Sequence, residues 1–86
     1  MRLSGKRQAT LEAVFADPVR SGIAWREIEA LLAACGGEIS EGHGSRVRVA
    51  LNGVRAVFHR PHPRKETDRG AVKAVRRFRI EAEIMP

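Results

Sequence analysis

Asn52-Gly53 lies between two alternating runs, Arg46-Val47-Arg48-Val49-Ala50-Leu51 and Val54-Arg55-Ala56-Val57-Phe58-His59. No other feature of the chain limits its possible folds as tightly. A type I′ turn needs positive φ at both central residues, which asparagine and glycine tolerate, and its twist suits antiparallel strands. The flanking residues alternate with period two, as on strands with one buried face. A two-residue turn also sets the register. Leu51 should face Val54, Val49 should face Ala56, and Val47 should face Phe58, filling one side. On the other side Arg48 should face Val57, Ala50 should face Arg55, and Arg46 should face His59. One face is then core, and the other carries Arg46, Arg48, Arg55 and His59.

Helices are expected on both sides of this hairpin. Trp25, Ile28, Leu31, Leu32 and Cys35 recur at helical spacing, predicting a helix over 24–35 with its glutamates outward and Gly36-Gly37 ending it. Trp25 shares that stripe and is expected in the core. A short strand is expected from Glu38 to Glu41, then the glycine-rich loop Gly42-His43-Gly44-Ser45. Upstream, residues 1–9 are polar and expected to fray. Thr10 can cap a short helix carrying Leu11, Val14 and Phe15, ended by Asp17-Pro18, and 19–23 reads as a connection. Downstream, Pro61 and Pro63 lack the donors a ladder needs. Asp68 can cap a last helix to about Phe78, with Val72, Val75 and Phe78 inward. In 79–86, Ile80, Ala82 and Ile84 alternate with charged residues, leaving a helix end, an added strand and a disordered end all open. The order is α-α-β-β-β-α. It predicts an α+β domain, a small antiparallel three-stranded sheet with helices packed on one face.

Composition narrows the function. Eighty-six residues, 43% of them hydrophobic, suffice for one small domain. The single cysteine, Cys35, excludes a disulfide framework and a cysteine-based zinc site. His43, His59 and His62 have no Asp, Cys or Glu companions at ligand spacing, so neither a metal nor another cofactor is expected. No Ser-His-Asp set or phosphate-loop motif is present. No apolar run approaches the ~18 residues of a membrane span. Met1-Arg2-Leu3-Ser4 lacks the apolar core of a signal peptide, so the expected location is the cytoplasm.

Sixteen bases against ten acids give +6, and the placement of that charge is uneven. From Ala24 to Glu41 the net charge is −3. The segments Arg46 to Lys65 and Arg69 to Arg79 hold eleven of the sixteen bases and no acid. A charge run is commonly only a solvated face. Here the hairpin gathers part of it on one side, which points to a polyanionic partner.

In order along the chain stand Trp25-Arg26-Glu27-Ile28-Glu29-Ala30-Leu31-Leu32, Gly36-Gly37, Gly44-Ser45, Val57-Phe58-His59-Arg60-Pro61-His62-Pro63-Arg64-Lys65-Glu66, and Gly70-Ala71-Val72. Together they resemble the HicA toxin family, over about Ala24 to Phe78. The resemblance implies a fold similar to the double-stranded RNA-binding domain. It also implies cleavage of mRNA without the ribosome or a metal, and neutralisation by a HicB antitoxin that covers the active site. On this reading 1–23 is an N-terminal extension with a short helix, 24–78 is the RNA-binding or ribonuclease domain, and 79–86 is a tail of open structure. One departure bears on catalysis. The family's catalytic histidine follows Gly-Ser, and here Arg46 follows Gly44-Ser45. A guanidinium stays protonated up to pH ~12, so it can steady a phosphorane but is a poor general base.

Metal-free RNA cleavage needs a base for the 2′-hydroxyl, an acid for the leaving 5′-oxygen, and cations for the phosphorane. Histidine suits the first two roles and arginine the third. The register sets His59 opposite Arg46, with His43 and His62 in flanking segments. His59 and Arg46 are therefore the candidate catalytic pair. Ser45, Arg48, Arg55, His62, Arg64 and Lys65 are candidate RNA contacts, and Arg69, Lys73 and Arg76 on the last helix would track the backbone. With few aromatics outside the expected core, RNA would be read by shape and phosphate, not by stacking. Two alternatives stand beside this one. The chain could be a non-catalytic nucleic-acid-binding domain that lost the histidine, or its basic face could dock an acidic protein.

Overall fold

The hairpin forms in the expected register. In the computed structural model, which describes residues 3–61 and 65–84, Asn52 and Gly53 take φ of 49° and 80°. All six pairs match the arithmetic, from Leu51 opposite Val54 to Arg46 opposite His59. The elements run α1 (Gly5–Val14), β1 (Ile23–Ala24), α2 (Trp25–Ala34), β2 (Glu38–Glu41), β3 (Arg46–Leu51), β4 (Val54–His59), β5 (Glu66–Thr67) and α3 (Arg69–Ile84). Strands β2, β3 and β4 make an antiparallel sheet in that order. The fold is α+β, with the three helices against one face of that sheet.

Local chemistry explains the helix ends. Ser4 caps α1, its Oγ accepting from the Arg7 amide at 3.3 Å. The helix therefore starts five residues before the expected cap, Thr10. Thr10 sits inside it, nearly buried, and donates to the Lys6 carbonyl at 3.1 Å. Helix α2 ends where Gly36 takes φ +96°, and the Gly37 amide donates to the Leu32 carbonyl at 2.9 Å. A Cβ on Gly37 would stand 2.8 Å from that oxygen, so only glycine fits. Asp68 caps α3, accepting from the Ala71 amide at 2.8 Å.

Two features differ from expectation. Helix α3 continues past Phe78 to Ile84, because Ala82 is fully buried and its carbonyl accepts from Asn52 Nδ2 at 2.9 Å. The tail's alternation is that of a helix edge, not a strand. Residues 19–23 are more than a connection, since Ile23 and Ala24 pair with Thr67 and Glu66 in a separate two-stranded ladder.

The core lies between sheet and helices. Val47, Val49, Leu51 and Phe58 meet Ile28, Leu31 and Leu32 of α2 and Val72, Val75 and Phe78 of α3, all buried. The Phe58 ring is 5.8 Å from Trp25 and 5.7 Å from Phe78, joining α2, β4 and α3. Three of the four large aromatics are thus committed to packing. Val14 carries α1 into the same core. Among the described residues nothing from the helices crosses to the other side of the sheet, where Arg46, Arg48, Arg55, Val57 and His59 are exposed.

Candidate functional site

Alternation along the strands turns the open side into a small grid. Across β2, β3 and β4 its rows read Glu38–Ala50–Arg55, Ser40–Arg48–Val57, and Arg46–His59 at the end where β3 begins. Arg46, Arg48, Arg55 and His59 are all exposed, and Val57 is 56% exposed among them. Pairing alternates from the turn, so Arg46 and His59 form the closer, non-hydrogen-bonded kind of pair, with Cβ atoms about 4.5–5.5 Å apart. Arg48 is a diagonal neighbour of both Arg55 and His59. A hollow of about 790 Å³ lies on this face, lined by Ser40, Arg48, Arg55 and Val57 among others.

Three cations on one face should repel. Among the described residues none of Arg46, Arg48 and Arg55 forms an ion pair, whereas Arg7, Arg60 and Arg79 all do. Their charge is left for an external anion. The loop before β3 is held against the strand ends. The Gly42 amide donates to the Arg46 carbonyl at 2.9 Å, the Arg46 amide to the His43 carbonyl at 3.1 Å, and the Arg60 amide to the Ser45 carbonyl at 2.8 Å. Ser45, Arg46 and His59 therefore share one corner, with His43 in the adjoining turn.

Not every expected residue reaches that face. His62 and Arg64 lie outside the described residues. Lys65 lines a different hollow, of about 560 Å³, with Trp25, Arg26 and Arg60 on the helix side. Arg69 and Lys73 are exposed on the side of α3 opposite its buried Val72, Val75 and Ala82, and so face away from the sheet. Arg76 is turned inward, which corrects its expected place on an exposed RNA-tracking stripe. Its Nε and Nη2 donate to the Val14 carbonyl at 3.0 and 2.8 Å, and Nη2 also to Ala16 at 2.8 Å. It lies 5.6 Å from the Phe15 ring centroid. Arg76 thus serves as the C-terminal cap of α1.

One cluster was not anticipated. Arg60 follows His59 and so points to the helix side, where its Nε donates to Glu29 at 2.8 Å and Nη2 to Glu41 at 2.7 Å. Glu29 also accepts from Trp25 Nε1. Neither glutamate of α2 faces freely outward, because Glu27 and Glu29 are half-buried under Arg7 and Arg60. Continuing the period-two alternation one residue past His59 would have exposed the signal. The hydrogen bond from Arg60, reinforced by its charge, holds the Glu41 carboxyl below its ordinary pKa. In turn Glu41 and Glu29 raise that of Arg60, which is charged throughout.

Linkage gives the sign. A carboxylate whose folded pKa is depressed adds stability above its unfolded value of about 4.3, and that contribution is lost as pH falls through the folded value. Thermal melts should therefore show wild type above Glu41→Gln at pH 7, with the gap closing as the pH is taken from about 5 to 2.5. A gap that is constant or widens in acid would refute this.

Among the described residues no three His, Cys, Asp or Glu side chains group as a metal site. No helix there is long and apolar enough to cross a membrane. No curated protein and no solved structure matches the chain. A family model described as the HicA toxin of bacterial toxin–antitoxin systems matches residues 25–82, from the first residue of α2 almost to the end of α3. That match includes the whole three-stranded sheet and the Ser45–Arg46–His59 corner, so the chain belongs to the HicA toxins, a toxin–antitoxin family.

Proposed function

We propose that the protein is an endoribonuclease that cleaves mRNA on the open face of the sheet without a metal. The observation that carries this reading is the Arg46–His59 cross-strand pair, set beside Arg48 and Arg55, which form no ion pair among the described residues. His59 takes the proton of a 2′-hydroxyl, and the freed oxygen attacks the adjacent phosphorus. Arg46 and Arg48 stabilise the charge that gathers on the phosphorane. The bond to the 5′-oxygen then breaks, leaving a 2′,3′-cyclic phosphate and a 5′-hydroxyl. His43, in the turn bonded to the Arg46 amide, is the candidate to protonate that leaving oxygen. Arg55 and Ser45 hold flanking phosphates.

An RNA strand on this face does not reach Arg69 and Lys73. They join in tracking the backbone only if the RNA is long enough to turn around the sheet's edge. A HicB-type antitoxin neutralises the protein by covering the same corner. The second reading, a non-catalytic nucleic-acid-binding domain, is favoured by one observation, the arginine where the family has its histidine.

One assay separates the two. Purified protein incubated with mRNA in EDTA should yield fragments ending in cyclic phosphate. RNA left intact at large protein excess, with binding that weakens steeply in salt, would instead support the binding domain. Expression in cells should arrest growth, and co-expression of the antitoxin should relieve it.

A further inference from the structure

The end of β4 presents two neighbours in opposite directions. His59 faces the open side of the sheet, and Arg60 faces the helices. The Arg60 guanidinium crosses beneath the start of β3. On one side it meets Glu41 at the end of β2, with Nη2 to Oε2 at 2.7 Å. On the other it meets Glu29 of α2, with Nε to Oε2 at 2.8 Å and Nη2 to Oε1 at 3.2 Å. Glu29 is itself held by Trp25 Nε1, and Trp25 is buried in the core. The register shows what this strap spans. Glu41 stands opposite Val47, in the row beside Arg46 and His59, and Arg60 directly follows His59, so the contact ties the end of β2 to the end of β4 across the start of β3. The Arg60 amide also holds the Ser45 carbonyl at 2.8 Å, fixing the loop that leads into Arg46.

We propose that Arg60, strapped to Glu29 and Glu41 on the helix side of the sheet, is a positioning residue that holds His59 and Arg46 in working geometry on the other side. The proposal rests on the ribonuclease reading of that face. A planar guanidinium bonded to two carboxylates fixes direction as well as distance, which a lysine ammonium cannot do. Strand ends are where sheets fray, and here the reacting groups sit at such an end. A proton-transfer group displaced by about 1 Å can cost on the order of 100-fold in rate. Arg60 touches no RNA in this arrangement, so its effect should fall on kcat and not on KM.

The test uses the full-length protein and a defined RNA. Arg60→Ala should lower kcat by about 10- to 100-fold with KM changed less than about threefold. Glu41→Gln, a conservative change at an exposed side chain, covers the case in which Arg60→Ala does not fold and should lower kcat in the same sense. Arg60→Lys should not restore the rate. The double variant Arg60→Ala/Glu41→Gln should lose little beyond Arg60→Ala, because both remove one strap. Ile28→Val, a core change that lowers the melting temperature, should leave kcat unaltered well below melting, which separates positioning from general loosening. Wild-type kcat in both strap variants would overturn the proposal, as would an equal loss in Ile28→Val. If the wild type cleaves no RNA, the ribonuclease reading fails, and NMR then decides the geometry alone. Cross-peaks between the His59 imidazole and the Arg46 side chain should be lost in Arg60→Ala and Glu41→Gln while core methyl resonances keep their shifts. Their persistence would refute the strap.

Discussion

Alanine at position 59 should lower the rate of RNA cleavage by about 10²–10⁴-fold, the usual contribution of a positioned proton-transfer group. RNA affinity should change by no more than a few-fold, because Arg46, Arg48 and Arg55 remain on the face. His59 stands on the exposed end of β4 and contributes nothing to the core, so the variant should fold and melt like wild type. A large loss of rate would therefore report chemistry and not unfolding. The register allows a sharper control. Arg46 lies directly opposite His59, so Arg46→His in the His59→Ala background returns an imidazole to the same corner. It also recreates the Gly-Ser-His order of the family. That double variant should recover part of the lost rate. Cleavage undiminished in His59→Ala would assign proton transfer elsewhere, with His43 next to be replaced.

The second large effect concerns residues 1–23, which lie outside the stretch matched to the family. A chain reduced to 24–86 should fail to melt cooperatively. Val14 is fully buried in the common core, and Leu3 and Leu11 pack against it. Burying one valine side chain is worth about 1.5–3 kcal/mol. Truncation would also strip Arg76 of both its carbonyl acceptors and Glu27 of its bonds to Arg7 and Lys6. A domain of this length has a total stability of about 4–13 kcal/mol, so losing a helix of the core removes much of it. Far-ultraviolet circular dichroism through a thermal scan would decide. A truncated chain with a sharp transition within about 5 °C of the full-length value would show that α1 is an accessory.

How much could be read in advance follows from the range of the interactions. The β3–β4 register was legible because it is local. Asn52-Gly53 admits one turn, and the rest of the pairing is counted outward from it. The ends of α2 and the cap at Asp68 were legible for the same reason, each being set within four residues. The start of α1 was not, since Ser4 caps it while Thr10 is the more conspicuous capping residue and sits inside the helix. The end of α3 was not either. Its alternating Ile80, Ala82 and Ile84 fit a helix end, an added strand or a disordered end, and the choice is made by Asn52, thirty residues away, bonding the Ala82 carbonyl.

By itself the sequence determined the hairpin, its two unlike faces, the set of cations on one of them and the pairing of Arg46 with His59. All of these follow from side-chain alternation and one turn. Only the tertiary structure decided which bases are free for a partner. Arg76 and Arg60 read in the chain as members of basic runs, yet one caps α1 and the other bridges two glutamates from separate elements. Tertiary packing also turned Arg69 and Lys73 away from the sheet face. The physical reason is that a cation's availability depends on which acceptors lie within about 3 Å of it. For residues brought together across dozens of positions, that is set by packing and not by neighbours in the chain.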